Sequence, residues 1–247
     1  MARQRLGQHF LIRGSILERI ARAACPDPEP LVIEIGPGRG ALTTRLLARA
    51  GHVIAIELDP WLAQHLPPHQ SLEVIDADAL LVDLAQWGPA VIAGNLPYYA
   101  ATAILERVVA IGPLLRRGVF LVQKEVAARI TATPGHREYG YLSVALQLCA
   151  DIDLMFEVSP AAFYPPPKVD SAVLRLGTRN RAAELGISDP SDFLRFVSLC
   201  FRQKRKTLRN NLVGTYSASI DEWPEVNLRA EQISLEMFAA MYRRLVP

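Results

Sequence analysis

Leu31-Val32-Ile33-Glu34-Ile35-Gly36-Pro37-Gly38-Arg39-Gly40 runs a short apolar stretch straight into three glycines. An apolar run of that length, bounded by turn residues, predicts a buried strand. The glycines allow a sharp turn and let a ligand come close to the backbone. The next segment, 41–50, has helical spacing, with Gly51 placed to end the helix. The start of such a helix attracts anionic groups. Strand, glycine turn and helix together predict the first unit of a ligand-binding α/β fold.

The pattern repeats downstream. Strands are expected over 52–59, 72–80, 90–99 (broken by Pro97), 151–158 and 168–176, with a helix over 102–110, while 118–130 begins as a strand and turns into a helix. Upstream, Ser15 can cap a helix over 15–24. Alternation over about 175 residues predicts a parallel sheet covered on both faces. The two late strands, joined by a proline-rich loop, suit an antiparallel edge. Residues 1–177 are thus expected to form a Rossmann-like domain. Residues 178–190 are polar and turn-rich, the composition of a linker. From 191 to 247 only helical signals remain, with Leu194, Val197, Phe201, Leu208 and Leu212 on one helical stripe. A small all-helical domain is expected there.

Half of the 247 residues are hydrophobic, enough to build a core. No apolar run approaches the roughly 20 residues needed to cross a bilayer, so no membrane association is expected. The basic N-terminus lacks the apolar core of a signal peptide. Cys25, Cys149 and Cys200 are scattered among apolar residues, which suggests buried thiols in a reducing cytoplasm. No His/Cys cluster points to a metal, and nothing demands an oligomer, so a monomer is expected.

A net charge of +2 conceals an uneven distribution. Arg3, Arg5, Arg13, Arg19 and Arg22 face only Glu18 in the opening stretch, and no Lys or Arg lies between Ala50 and Glu106. Arg202, Lys204, Arg205, Lys206 and Arg209 crowd together near the C-terminus with no acid among them. Basic zones around an acidic middle suit a polyanion at the edges and a cationic small molecule between them.

Glu57 ends the strand after the glycine turn, 21 positions beyond Gly36, where a carboxylate can accept both hydrogen bonds of a ribose diol. Gly36, Gly38 and Ala41 with that later acid also fit a nicotinamide-dinucleotide fingerprint. Glu34 and Asp78 favour the other reading, an S-adenosylmethionine-dependent methyltransferase. Glu34 precedes the glycines as in many methyltransferases, and Asp78 could hold a cofactor's adenine amine at the end of the third strand. Asp78 could equally be a loop or capping acid.

Asn95-Leu96-Pro97-Tyr98 ends the fourth strand. The exocyclic amine of adenine is a poor nucleophile because its lone pair is delocalised into the ring. Two acceptors placed about that nitrogen, the Asn95 side-chain oxygen and the Leu96 carbonyl, can make it more amine-like. Pro97 stiffens the turn, and Tyr98 offers a face on which a base can stack.

Gly7-Gln8-His9-Phe10-Leu11, EIGPGRG at Glu34–Gly40, DADA from Asp76, NLPY at Asn95–Tyr98, Gln123–Val126, Tyr139–Val144, Phe163–Ser171 (FYPPPKVDS) and Arg205–Asn211 (RKTLRNN) follow one another in order. Together they resemble the bacterial small-subunit (16S) ribosomal RNA adenine N6,N6-dimethyltransferases over nearly the whole chain. The resemblance implies a Rossmann-like S-adenosylmethionine-dependent methyltransferase fold with a small C-terminal all-helical domain. It implies dimethylation of two adjacent adenines in the 3′-terminal hairpin of 16S rRNA, within the small ribosomal subunit or its precursor. His9, Leu11, Gly36, Gly38, Glu57, Asp78 and Asn95 would border the cofactor, and Phe163 would stack on the target adenine opposite Tyr98. His9 stands where the family often has asparagine, and Tyr141 where a basic residue is common.

The C-terminal cations would contact phosphates, supplying affinity rather than sequence choice. Three rivals remain: the antibiotic-resistance methyltransferases of large-subunit RNA, an assembly factor acting by binding, and a nicotinamide oxidoreductase.

Overall fold

The computed structural model describes residues 9–216 and 220–245. Gly7 and Gln8 of the first motif, and Arg3 and Arg5 of the N-terminal basic zone, lie outside the described residues. The chain forms two compact units: Met1–Ala127 with Asp151–Thr178, and Ala128–Ala150 with Arg179–Pro247.

In the first unit, strand β1 (Phe10–Leu11) precedes helix α1 (Gly14–Ala24). Then come β2 (Glu29–Ile35), α2 (Thr43–Leu47), β3 (Ala50–Glu57), α3 (Pro60–His65) and β4 (Leu72–Asp76). β5 (Ala90–Asn95), α4 (Ala101–Ala110) and β6 (Leu115–Gln123) follow, and α5 (Lys124–Thr131) begins in this unit and ends in the second. β7 (Ala150–Val158), β8 (Phe163–Tyr164) and β9 (Ser171–Thr178) complete the strands. Seven of these form one sheet in the order β4-β3-β2-β5-β6-β9-β7. The pairs from β4 to β6 are parallel, and β9 runs antiparallel to β6. This is the Rossmann-like α/β arrangement expected from the alternation.

The central strands read as continuous apolar runs because both sheet faces are covered. Leu17, Ile20, Ala21 and Ala24 of α1 and Leu46 of α2 pack with Val32, Val53, Val91 and Val119 in one core cluster. The intervening Ile33, Ile54 and Ile92 are buried as well. Chain order along the sheet reverses between β2 and β5, the place where such sheets open a crevice at their carboxyl ends. The glycine turn leaves β2 there, and Asn95 ends β5 beside it.

Helix α2 is shorter than the spacing predicts. Ala50 and Gly51 already belong to β3, and Gly51 is pressed against the chain: a Cβ there would lie 3.1 Å from the Pro30 carbonyl oxygen. It is a close-approach glycine, not a helix stop.

The second unit contains α6 (Tyr141–Cys149), α7 (Arg181–Glu184), α8 (Pro190–Cys200), α9 (Leu208–Tyr216) and α10 (Leu235–Arg243). Its extent differs from the sequence reading at both borders. Residues 128–150 belong to it: Tyr139, Val144 and Leu148 are buried with Phe193, Phe196 and Phe238. Of the expected linker 178–190, Thr178 ends β9 and the rest is folded into the same core, with Ala182 and Ile187 buried and Asn180 capping α7 through the Ala183 N–H. The apolar face of α6 needs a partner, and helices far along the chain supply it; local periodicity carries no trace of that pairing. The single stripe read through Leu194 and Leu212 is also two helices. α8 stops at Cys200, and a turn over 201–206 separates it from α9.

Candidate active site

At the carboxyl ends of β2 to β5 lies a cavity of about 920 Å³. Its size suits a nucleoside-sized ligand. Its wall includes His9, Leu11, Gly36, Gly38, Glu57, Asp78, Asn95, Leu96, Pro97 and Tyr98. The structure thus brings together every residue expected to border the cofactor and all four residues of the NLPY turn.

The glycine turn is a conformational necessity. Gly36 and Gly38 have φ of 70° and 56°, values that L side chains rarely adopt. A Cβ on Gly38 would also press on the Phe10 ring at 3.1 Å. Glu57 is held from both sides: the Gly38 N–H donates to one oxygen at 3.0 Å and the Asp59 N–H to the other at 2.9 Å. Each oxygen keeps a further lone pair for a ligand hydroxyl. Asp59 in turn caps α3 by accepting from the Trp61 N–H, with Pro60 in the first helical turn. Asp78 has a local role as a turn acid. It lines the cavity while one oxygen accepts the Leu80 N–H at 2.9 Å.

Glu34 is fully buried beneath the cavity, and its Oε2 has no partner among the described residues. Burial pushes its pKa up to about 8, with the Thr43 hydroxyl opposing and the Glu57 charge adding. An orphaned buried carboxyl facing a cavity is costly unless a ligand satisfies it. That group and the glycine cradle fit a small cationic cofactor with a ribose.

The NLPY turn is anchored by its neighbours. The Leu96 N–H donates to the Leu121 carbonyl at 3.0 Å, continuing β5's pairing with β6. The Asn95 side-chain amide donates to the His9 carbonyl at 3.1 Å, which leaves its oxygen as the acceptor on offer. Tyr98 donates or accepts a 2.8 Å hydrogen bond with Ser171. The His9 ring stacks with Tyr98 at 5.8 Å between centroids and 30° between planes, its Nδ1 2.8 Å from the Pro165 carbonyl oxygen.

Phe163, the residue expected to stack on the target adenine, pairs with Leu11, which lines the cavity. Only 3% exposed, it packs into the core with Leu11 and Leu17 and does not line the cavity. The cause is a short antiparallel pairing of β1 with β8 that sets Leu11 opposite Phe163. Strand alternation then buries Phe163 and exposes its neighbour Tyr164. The His9 ring is the one that stacks with Tyr98 among the described residues.

Gly94 escapes sequence reasoning. A Cβ there would lie 2.3 Å from the Ile35 carbonyl oxygen, so only glycine lets β5 approach β2 just before Asn95. A lone glycine inside an apolar strand is the signal that points to it.

The five C-terminal cations belong to the second unit. Arg202, Lys204, Arg205 and Lys206 sit exposed on the turn after α8, and Arg209 lies in α9. Arg209 is paired with Asp221 at 2.9 Å, and Lys204 lies 3.8 Å from Glu231. Arg202, Arg205 and Lys206 have no ion pair among the described residues. Asn211, which also escapes sequence reasoning, is buried and holds this turn: its amide donates to the Cys200 and Gln203 carbonyls at 2.8 and 3.2 Å, and its oxygen accepts the Gln203 N–H at 3.1 Å.

The ribosomal RNA adenine dimethylase family model matches residues 1–245. The chain is 40% identical to the ribosomal RNA small subunit methyltransferase A of Acidobacterium capsulatum, over 98% of this chain and 90% of that protein. It is 38% identical to the protein of the same name from Chlorobaculum parvum, over 100% and 90%. Among solved structures it is similar to the 23S rRNA methyltransferase ErmE, with a TM-score of 0.74 and 27% identity over 96% of this chain and 100% of that one. A dimethyladenosine transferase from Plasmodium falciparum shares the fold, with a TM-score of 0.83 and 23% identity over 96% and 97%. A family match along nearly the whole length, in a chain whose cavity gathers the glycine turn, three carboxylates and the NLPY turn, shows that this chain belongs to the ribosomal RNA adenine dimethylases.

Proposed function

We propose that this chain, an rRNA adenine dimethyltransferase by family, methylates the N6 amines of two adjacent adenines in the 3′-terminal hairpin of 16S rRNA. S-adenosylmethionine, when bound, supplies an electrophilic methyl group on a cationic sulfur. Glu57 would hold its ribose hydroxyls and Asp78 its adenine amine, and the Gly36–Gly38 turn would admit it close to the backbone. His9 and Leu11 close its side from the N-terminal segment.

The observation that carries the reading is the anchoring of Asn95. Its amide is committed to His9, so its oxygen is the end presented as acceptor, next to the Leu96 carbonyl at the carboxyl end of β5. Two acceptors on the target amine orient its lone pair toward the incoming methyl, and Tyr98 supports the flipped base. Positioning contributes most of the rate. The ammonium product loses its proton to water, so no strong base is required. For the second methyl, the monomethylated amine rotates and re-enters the same site after cofactor exchange. Arg202, Lys204, Arg205, Lys206 and Arg209 contribute phosphate contacts. The substrate is the small ribosomal subunit or its precursor, met in the cytoplasm by a monomer.

The similarity to ErmE keeps large-subunit RNA as the second reading. Methyl transfer from labelled S-adenosylmethionine into unmethylated small and large subunits, followed by nucleoside mass spectrometry, decides between them. Dimethyladenosine confined to small-subunit RNA is the expected result. Label in large-subunit RNA alone would reassign the substrate, and no label in either would remove the activity.

A further inference from the structure

We propose that Ser171 is a positioning residue for the target base, acting through Tyr98; this rests on the methyl-transfer reading above. β9 runs against the parallel β4-to-β6 set, and that reversal carries its first residue to the end of the sheet where the parallel strands finish. The register shows it directly: Ser171 faces Gln123, the last residue of β6. Ser171 is fully buried, and its hydroxyl meets the Tyr98 phenol at 2.8 Å across 73 residues of chain.

The NLPY turn is therefore held at two levels. Its backbone is tied to β6 through the Leu96 N–H and the Leu121 carbonyl. Its aromatic ring is tied to β9 through the Ser171 hydroxyl. The phenol is half-buried, and desolvation raises its pKa, so the neutral hydroxyl is the form held against Ser171. A phenyl ring on two freely rotating bonds is a poor platform for a base. One hydrogen bond at the far end of the ring fixes where the phenol oxygen sits and so restrains χ1 and the position of the ring, while the stacked His9 ring limits rotation about the ring axis; together they set the platform against which the adenine stacks. Serine, the last residue of the FYPPPKVDS motif, is small enough to sit inside the strand while presenting a hydroxyl.

Ser171→Ala and Tyr98→Phe delete the same hydrogen bond from opposite sides. Each is expected to lower kcat/KM for small-subunit RNA by about 3- to 10-fold, as one net hydrogen bond implies. The double variant should be no worse than either single one, and Ser171→Thr should restore the rate. S-adenosylhomocysteine affinity should stay within about twofold in all of them, since the hydrogen bond touches the base platform and not the cofactor. RNA carrying 2-aminopurine at the target position adds a readout that packing would not move: its fluorescence change on binding should shrink in both single variants. A wild-type rate in Tyr98→Phe would overturn the inference. So would full additivity of the two losses, or a Ser171→Ala loss that follows its melting temperature while Tyr98→Phe is unaffected. In each of those cases wild-type methylation would leave the activity itself standing. An inactive wild-type chain would remove both.

Discussion

The side-chain amide of Asn95 donates to the main-chain carbonyl of His9 at 3.1 Å, across 86 residues of sequence. The hydrogen bond joins the end of β5 to the segment before β1 and decides which end of the amide faces the cavity. Asn95→Ala removes both that tie and the acceptor. Turnover should fall on the order of 100-fold, as when one preorganised polar group is removed from an active site. RNA affinity should change by less than a few fold. Single-turnover methylation and filter binding on the same preparations check this; equal losses in both would mean that Asn95 serves binding rather than chemistry.

Gly94 and Gly214 should respond in opposite directions to alanine. At Gly94 the new methyl would meet the Ile35 carbonyl at 2.3 Å, and backbone cannot step aside cheaply. A destabilisation of about 1–3 kcal/mol or more is expected. Gly214 lies within α9 with open space around it, so alanine there should stabilise by about 0.5–1 kcal/mol. Urea melts of the two variants read both effects, and shifts of the same sign would contradict the contrast.

Glu34 makes stability depend on pH. Its pKa is about 8 in the folded chain against 4.5 for the ordinary group, raised first by burial. Between those values the unfolded chain releases a proton that the folded one keeps. Folding stability from this group is therefore fully present below about pH 4.5 and is lost as pH rises through about 8. Glu34→Gln should gain in melting temperature relative to wild type at about pH 8 more than at about pH 5. A cationic ligand favours the ionised carboxyl, so S-adenosylmethionine affinity should rise with pH in wild type and be flatter in the variant. Melting curves and calorimetric titrations across roughly pH 5–9 test both; parallel pH profiles for the two proteins would contradict the assignment.

The exposed turn after α8 should show itself in salt dependence. Replacing Arg202, Arg205 and Lys206 with alanine should weaken RNA binding and flatten its salt slope by roughly 0.7–0.9 for each phosphate no longer neutralised. Arg209→Ala should do less, because Asp221 already occupies that guanidinium. A larger effect at Arg209 would mean that the ion pair opens to RNA.

Much of this architecture is legible in the amino-acid sequence. Strands and helices declare themselves by local periodicity, which is why most strands of the sheet can be read, although the short α3 and α6 are not. Gly36, Gly38, Glu57, Asp78 and Asn95 are legible as site residues because each terminates or follows a strand, and strand ends converge in a parallel sheet. The burial of Phe163 is not legible for the complementary reason. Its motif is local, but its burial follows from a two-residue strand pairing that sets it opposite Leu11, far earlier in the chain. The capture of residues 128–150 by the second unit escapes in the same way.

By itself, then, the sequence determined the α/β architecture, the family, and the set of side chains that meet at the cavity, because these follow from periodicity and from chemistry carried within short motifs. Only the tertiary structure decided which way those side chains are turned. It set Asn95's oxygen free by binding its amide to His9, tied Tyr98 to Ser171, buried Phe163 and left one Glu34 oxygen without a partner among the described residues. Each of these depends on how segments distant in the chain are brought together, and local spacing does not encode that register.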